Sequence, residues 1–157
     1  MIYIVEGPDG AGKTTLVNRL QEMFGYPVKH RNKPKNEEEK QMMLAGYAYD
    51  IATGGNFIYD RCWYSEMVYG PVMRDASVIT ADQMVALEEA IVRNGGGIII
   101  HCTDATNILW NRCTSRGEDY ITSRDTLDDI REGFEQLLHH TRHLLPVVRY
   151  ELSKNMH

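Results

Sequence analysis

The sequence predicts an α/β domain with a parallel sheet and helices on both faces, and three observations carry that expectation. Strand-like and helix-like segments alternate along all 157 residues. A glycine-rich segment, Gly7-Pro8-Asp9-Gly10-Ala11-Gly12-Lys13-Thr14, lies directly between the apolar run Ile2-Tyr3-Ile4-Val5 and a helical pattern. Ile98-Ile99-Ile100 sets β-branched residues in a row, the mark of an interior strand buried on both faces.

Each element has its own local reason. Leu16, Leu20, Met23 and Phe24 recur at helical spacing after the glycine-rich segment, and Gly25 stands where that helix stops. Pro27-Val28-Lys29-His30-Arg31 reads as a short second strand, and residues 37–52, carrying Met42, Met43, Leu44, Tyr47 and Tyr49, as a helix. Phe57-Ile58-Tyr59 is a buried-strand pattern ending in Asp60-Arg61, followed by a helix from about Trp63 to Val72. Thr80 and Gln83 fit a capping box ahead of Met84, Leu87 and Ile91, and Gly95-Gly96-Gly97 ends that helix. After the isoleucine strand, Asp104 is placed to cap a helix running to about Cys113. Leu127, Ile130, Phe134, Leu137 and Leu138 form one further amphipathic helix, and Val147-Val148 the fifth strand.

Composition narrows the function classes. At 157 residues and 43% hydrophobic content the chain suits one domain, here taken as 1–157. A net charge of −5 offers no general attraction to nucleic-acid backbones, so phosphate recognition should come from local arginines, and a free nucleotide suits better than a duplex. Cys62, Cys102 and Cys113 lack metal-ligand spacing and read as buried thiols of a reducing compartment. No basic leader or membrane-length apolar run stands out, so the cytoplasm is the expected location and neither a membrane nor a nucleic-acid partner is expected.

The glycine-rich segment fits GxxxxGK[ST], a phosphate-binding P-loop. Its glycines let backbone N–H groups curl around a phosphate, Lys13 reaches the outer phosphates, and Thr14 ligates Mg²⁺. The helix that follows turns its partly positive N-terminus toward the anion, with Ala11 and Thr15 completing the cradle. Open parallel sheets bind ligands beyond the carboxyl ends of their strands, and Asp60 should emerge at that edge to hold the metal or accept a proton. Arg61, beside a metal-binding carboxylate, is best used on a second phosphate group, so the acceptor is expected to be phosphorylated.

At these residues the chain resembles the thymidylate kinases and the broader deoxynucleoside monophosphate kinases. One likeness is the loop GxDGxGKT, met by Gly7, Asp9, Gly10, Gly12, Lys13 and Thr14. The other is DRxxxSxxxY, met by Asp60, Arg61, Ser65 and Tyr69. The resemblance implies a P-loop kinase fold, ATP as phosphoryl donor, Mg²⁺ as cofactor and a deoxynucleoside monophosphate, dTMP first, as acceptor. It places Asp9 near the acceptor sugar or the metal and Arg61 on the acceptor phosphate. Arg31, Ser65, Tyr69 and Arg74 are further acceptor-side candidates.

Charge on the moving group needs an arginine that arrives with a lid, since the P-loop itself has none. The stretch about 114–124 lies where such kinases place a short lid, with Arg116 the first candidate and Arg112 the second. Among aromatics that could clamp a base, Tyr69 ranks above Trp63, Tyr64, Tyr47 and Tyr49, most of which should be core. His139, His140 and His143 resemble a metal cluster but read as a solvated helix end for want of an acidic neighbour.

Two departures stand out. The family pattern usually has Gln after the tyrosine, where this chain has Gly70-Pro71, and the terminal helix that encloses the donor adenine is shortened or missing. Such trimming resembles small viral kinases, so a phage origin, and then the host cytoplasm, is the expectation; the resemblance also admits a homodimer. Two alternatives stay open. A deoxynucleoside kinase would need a carboxylate where the chain reads Lys29-His30-Arg31-Asn32, and a non-catalytic nucleotide switch would need added interaction surface.

Overall fold

Every strand of the sheet runs parallel, because each is joined to its neighbour by a helical crossover and not by a hairpin. A computed structural model describes residues 1–117, 121 and 123–155. The strands are β1 (Ile2–Glu6), β2 (Val28–Lys29), β3 (Phe57–Asp60), β4 (Gly97–Thr103) and β5 (Val147–Glu151). The helices are α1 (Lys13–Phe24), α2 (Glu37–Thr53), α3 (Trp63–Met73), α4 (Ala81–Arg93), α5 (Thr106–Ser115), α6 (Arg124–His139) and the short α7 (Leu152–Asn155). The sheet order is β2-β3-β1-β4-β5, which gives the expected five-stranded α/β architecture. From β1 the chain builds first to one side and then to the other, so the strand order reverses at the carboxyl end of β1.

Register fixes what meets at that end. Val5 pairs with Asp60 of β3 and with Ile100 of β4, and Glu6 pairs with His101. Asp60-Arg61 therefore emerges beside the loop that follows β1. Ile2, Ile4, Val5, Phe57, Ile58, Tyr59 and Ile99 are sealed from solvent and form the centre of the core. Each large side chain so buried stabilises the fold by roughly 1.5–3 kcal/mol.

Helix ends follow their sequence signals. The Thr80–Gln83 capping box forms, Asn36 accepts a hydrogen bond from Glu39 N to cap α2, and Gly25 closes α1 in a left-handed conformation. Three expectations change. β2 shrinks to Val28–Lys29, so His30 and Arg31 lie beyond the sheet. Ala105, not Asp104, is the N-cap of α5, and the Asp104 carboxylate is spent on Arg112 and Ser153 instead. Met23 is 71% exposed, while Val17 takes the buried position on α1.

α3 packs on α6, where Gly133 brings the α6 backbone against Val68 and Tyr69 meets Phe134 edge-on at 6.0 Å. Tyr47, Tyr59 and Trp63 form an edge-to-face cluster, with Tyr64 tilted against Trp63. Trp63 and Tyr64 are therefore core, and Tyr49 at 66% exposure faces water. Cys62, Cys102 and Cys113 are buried free thiols.

His143 is not part of a solvated helix end, because its Nδ1 sits 2.7 Å from Glu88 Oε2 and its Nε2 2.7 Å from Leu137 O. Burial opposes its charge, but Glu88 and the Leu137 carbonyl more than offset that and raise its pKa. A raised folded-state pKa contributes stability that is present below the unfolded value of about 6.5 and is lost as pH climbs through the folded value. The melting temperature should therefore fall on the alkaline side of about pH 6.5, and His143→Gln should flatten that limb. An identical limb in the variant would contradict the assignment.

Candidate nucleotide-phosphate site

The loop between β1 and α1 is shaped as an anion cradle by its backbone. Gly10 and Gly12 have φ of 81° and 83°, a region that side chains rarely adopt. A Cβ at Gly7 would collide with the carbonyl of Cys102 on β4, so this residue must be glycine for the loop to lie on the sheet. α1 begins with Gly12 as its N-cap, with no side-chain cap and no acidic residue in its first turn. Its first N–H groups and its positive dipole end are thus left for a ligand. Thr14 and Thr15 are exposed on this first turn, and Ala11 is buried beneath it.

Lys13 is folded into the loop, its Nζ donating to Pro8 O at 2.7 Å. Burial, helped by the nearby Arg61 charge, lowers its pKa to about 8. An incoming phosphate would oppose both effects, since its negative charge favours the ammonium form.

Arg61 is the hub of the site. It follows β3 with φ of 67°, the left-handed region that costs a residue other than glycine roughly 1–3 kcal/mol. Contacts on two segments hold it there. Nη1 donates to Gly7 O at 3.1 Å and to Ser65 Oγ at 3.0 Å, and Nη2 donates to Asp9 Oδ1 at 3.0 Å and to Tyr69 Oη at 3.4 Å. Tyr69 Oη donates in turn to Asp9 Oδ2 at 2.9 Å, and its ring lies 5.1 Å from the guanidinium. Burial works against the Arg61 charge, yet Tyr69, Asp9 and Glu6 outweigh it and raise the pKa. The two sequence motifs thus meet through one cation.

Beneath that cation lies Glu6, which the sequence reading passed over. It is fully buried at the end of β1 and accepts from Cys62 N at 3.0 Å, Ser65 N at 2.8 Å and Ser65 Oγ at 2.5 Å. α3 has no side-chain cap of its own, so Glu6 caps it from the neighbouring strand and fixes the serine that holds Arg61. Burial raises the Glu6 pKa, and the Arg61 charge pulls it back. The signal was available: a carboxylate ending an apolar strand beside the loop, the same logic that singled out Asp60.

Asp60 is half-buried, with its backbone carbonyl 2.8 Å from His30 Nδ1. Among the described residues no ion pair includes its carboxylate. Its side chain and the Thr14 hydroxyl are both hard oxygen donors, the chemistry that suits Mg²⁺. On the other side of the loop, Arg112 Nη1 donates to Gly10 O at 2.9 Å and pairs with Asp104 Oδ2 at 2.9 Å. Arg116 is the exposed C-cap of α5. Of the two candidate arginines, Arg112, one turn earlier, is the one that contacts the loop, through Gly10 O. Of the expected lid, Glu118, Asp119, Tyr120 and Thr122 lie outside the described residues.

A cavity of about 440 Å³ opens beside Arg61, lined by Asp9, Ser65, Tyr69, Arg31 and Arg74, among others. Arg74 pairs with Glu66 at its wall. Arg31 reaches it while donating to both oxygens of Asp50, at 2.6 and 2.8 Å. Gly70 cannot carry a side chain, because a Cβ there would lie 2.7 Å from Ala76 O and 2.9 Å from Ser77 Cα. The glutamine usual in thymidylate kinases is therefore excluded by packing of α3 against residues 76–77.

Residues 1–102 match the family described as Polyphosphate kinase 2 (PPK2). The chain is 26% identical over 137 residues to the SPbeta prophage-derived uncharacterized protein YorR of Bacillus subtilis strain 168, covering 87% of this chain and 81% of that one. The YorR crystal structure in complex with phosphorylated GDP superposes with a TM-score of 0.82 at 22% identity, covering 98% of this chain and 87% of that one. Deoxyadenosine kinase from M. mycoides, solved with products dCMP and a flexible dCDP, gives 0.66 at 16% identity, covering 98% and 90%. These neighbours share the fold, a P-loop kinase architecture.

Removal of the Glu6 carboxylate should expose its role as a cap. Glu6→Ala orphans two buried N–H groups and should lower the melting temperature by about 4–8 °C, whereas Glu6→Gln, which keeps an acceptor oxygen, should recover most of the loss. A wild-type melting temperature in the alanine variant would contradict it.

Proposed function

Since the chain belongs to the polyphosphate kinase 2 family, we propose that it transfers the γ-phosphate of ATP to a deoxynucleoside monophosphate, with dTMP as the first candidate acceptor. The observation that carries this reading is the junction at Arg61: one cation joins the phosphate loop to a cavity that also presents Arg31 and Arg74. Arginines at that wall suit a phosphorylated acceptor.

In this reading the loop amides and the α1 N-terminus hold the donor phosphates and Lys13 leaves Pro8 O for a phosphate oxygen. Arg112 approaches from α5, and Arg61 trades Asp9 or Ser65 for the acceptor phosphate. Thr14 and Asp60 would hold Mg²⁺, which when bound neutralises charge on the phosphates. Tyr69, which donates to Asp9 Oδ2, would bound the acceptor and orient Asp9 toward it. Transfer then depends on positioning two anions end to end with water excluded.

A neutral nucleoside acceptor fits less well. The carboxylates lining the cavity, Asp9 and Glu66, are both paired with arginine, and the end of β2 supplies His30 and Arg31 where a base would be wanted. With no glutamine possible at Gly70, the choice of base rests on other contacts. Because YorR carries a guanine nucleotide and the M. mycoides enzyme carries dCMP, dGMP and dCMP belong in the acceptor panel beside dTMP.

ADP should form from ATP with dTMP or another monophosphate in that panel and not with thymidine; turnover of thymidine alone would replace this reading with a nucleoside kinase. Arg61→Ala should raise the acceptor KM and lower kcat while leaving ATP binding nearly unchanged. The KM for ATP should rise as pH passes about 8, where Lys13 loses its proton. A flat profile to pH 9.5 would remove Lys13 from the donor site.

A further inference from the structure

We propose that His101, Glu135 and His139 form a site for a borderline-soft divalent transition metal ion, with Zn²⁺ the first candidate, separate from the nucleotide site. One ligand atom from each of the three lies within 4.8 Å of the others. The grouping is built by the fold and not by local sequence. His101 stands on β4, in register with Glu6 on one side and Arg149 on the other, while Glu135 and His139 are one turn apart on α6.

The donor chemistry fits. His101 Nδ1 and His139 Nε2 are 2.8 Å apart, so the N–H of one ring faces the lone pair of the other. Burial, then the mutual proximity of the two rings, lowers the pKa of His101 to about 3. Burial and the Arg149 charge lower that of His139. A metal taking one nitrogen from each ring would send that N–H proton to the donor ring's other nitrogen, so both imidazoles ligate without a net loss of a proton. Glu135 is fully ionised, because Arg149 holds its pKa down at about 2. Two imidazoles and one carboxylate with an open fourth position suit Zn²⁺, Co²⁺ or Ni²⁺, whereas Mg²⁺ prefers oxygen ligands in an octahedron.

The surrounding charge sets the expected strength. Arg149 donates to Glu135 at 2.5 and 2.7 Å, and a metal must share that carboxylate with it. Arg131 and His140 add weaker positive fields on the same side, and His143 is turned away on Glu88 and Leu137 O. The earlier objection to a histidine cluster, the want of an acidic neighbour, is removed by Glu135, although the partner of His139 is His101 and not His140 or His143.

Zn²⁺ titrated into the full chain by calorimetry should bind one equivalent. Excess Mg²⁺ should not displace it, and Co²⁺ should show visible absorption of a low-coordinate site. His139→Ala and Glu135→Gln should each weaken Zn²⁺ binding at least about tenfold. His140→Ala should leave it unchanged, and Arg149→Gln should tighten it. His101 is fully buried and its variant risks misfolding, so the α6 variants carry the test. Absence of saturable Zn²⁺ binding, wild-type affinity in His139→Ala, or displacement by Mg²⁺ would overturn the assignment.

Discussion

The arrangement depends on a single guanidinium. Arg61 occupies a strained backbone conformation at the tip of β3 and is held by the loop carbonyl of Gly7, the Asp9 carboxylate, Ser65 and Tyr69. Such strain persists where surrounding contacts over-determine it. Here the contacts come from two segments more than 50 positions apart in the chain, so the cation fastens the phosphate cradle to the wall of the neighbouring cavity. Any group that Arg61 serves is thereby placed against whatever the cradle binds.

Carboxylates at strand ends support this junction. Glu6 ends β1, Asp60 ends β3 and Asp104 directly follows β4, all at the edge where the strand order reverses. Glu6 caps α3 and fixes Ser65, Asp104 ties Arg112 to the start of α7, and the Asp60 carboxylate is in no ion pair of the described residues. Two of the three thus position cations, and the third is left as a hard oxygen donor at the same sheet edge. The low dielectric of the site strengthens each of these pairings and makes an unpaired charge costly. That is why Lys13, buried near Arg61 and donating to a neutral carbonyl, has a depressed pKa.

Much of the fold was legible because several elements carry their own period or cap. The glycine loop, the Thr80–Gln83 box and the isoleucine run all appear where residue chemistry puts them. Much of the site was legible too, since Asp9, Arg61, Ser65 and Tyr69 share one network. The remainder depends on tertiary placement. Glu6 was missed because hydropathy patterns do not register a buried charge satisfied from another element. The contact of Arg112 with Gly10 O depends on how α5 docks on the loop, which no local pattern encodes. The His101–His139 contact joins residues 38 positions apart, beyond any helical spacing.

The central claim is that Arg61 stands between two phosphate-bearing ligands, and a structure with a bisubstrate compound joining adenosine and thymidine through a phosphate chain tests it most directly. The account predicts phosphates of the adenosine end on the loop amides of residues 7–14, and the thymidine end in the cavity beside Tyr69 with Arg61 donating to its phosphate. A thymidine end outside that cavity, with Arg61 still bound only to Asp9, Gly7, Ser65 and Tyr69, would contradict it.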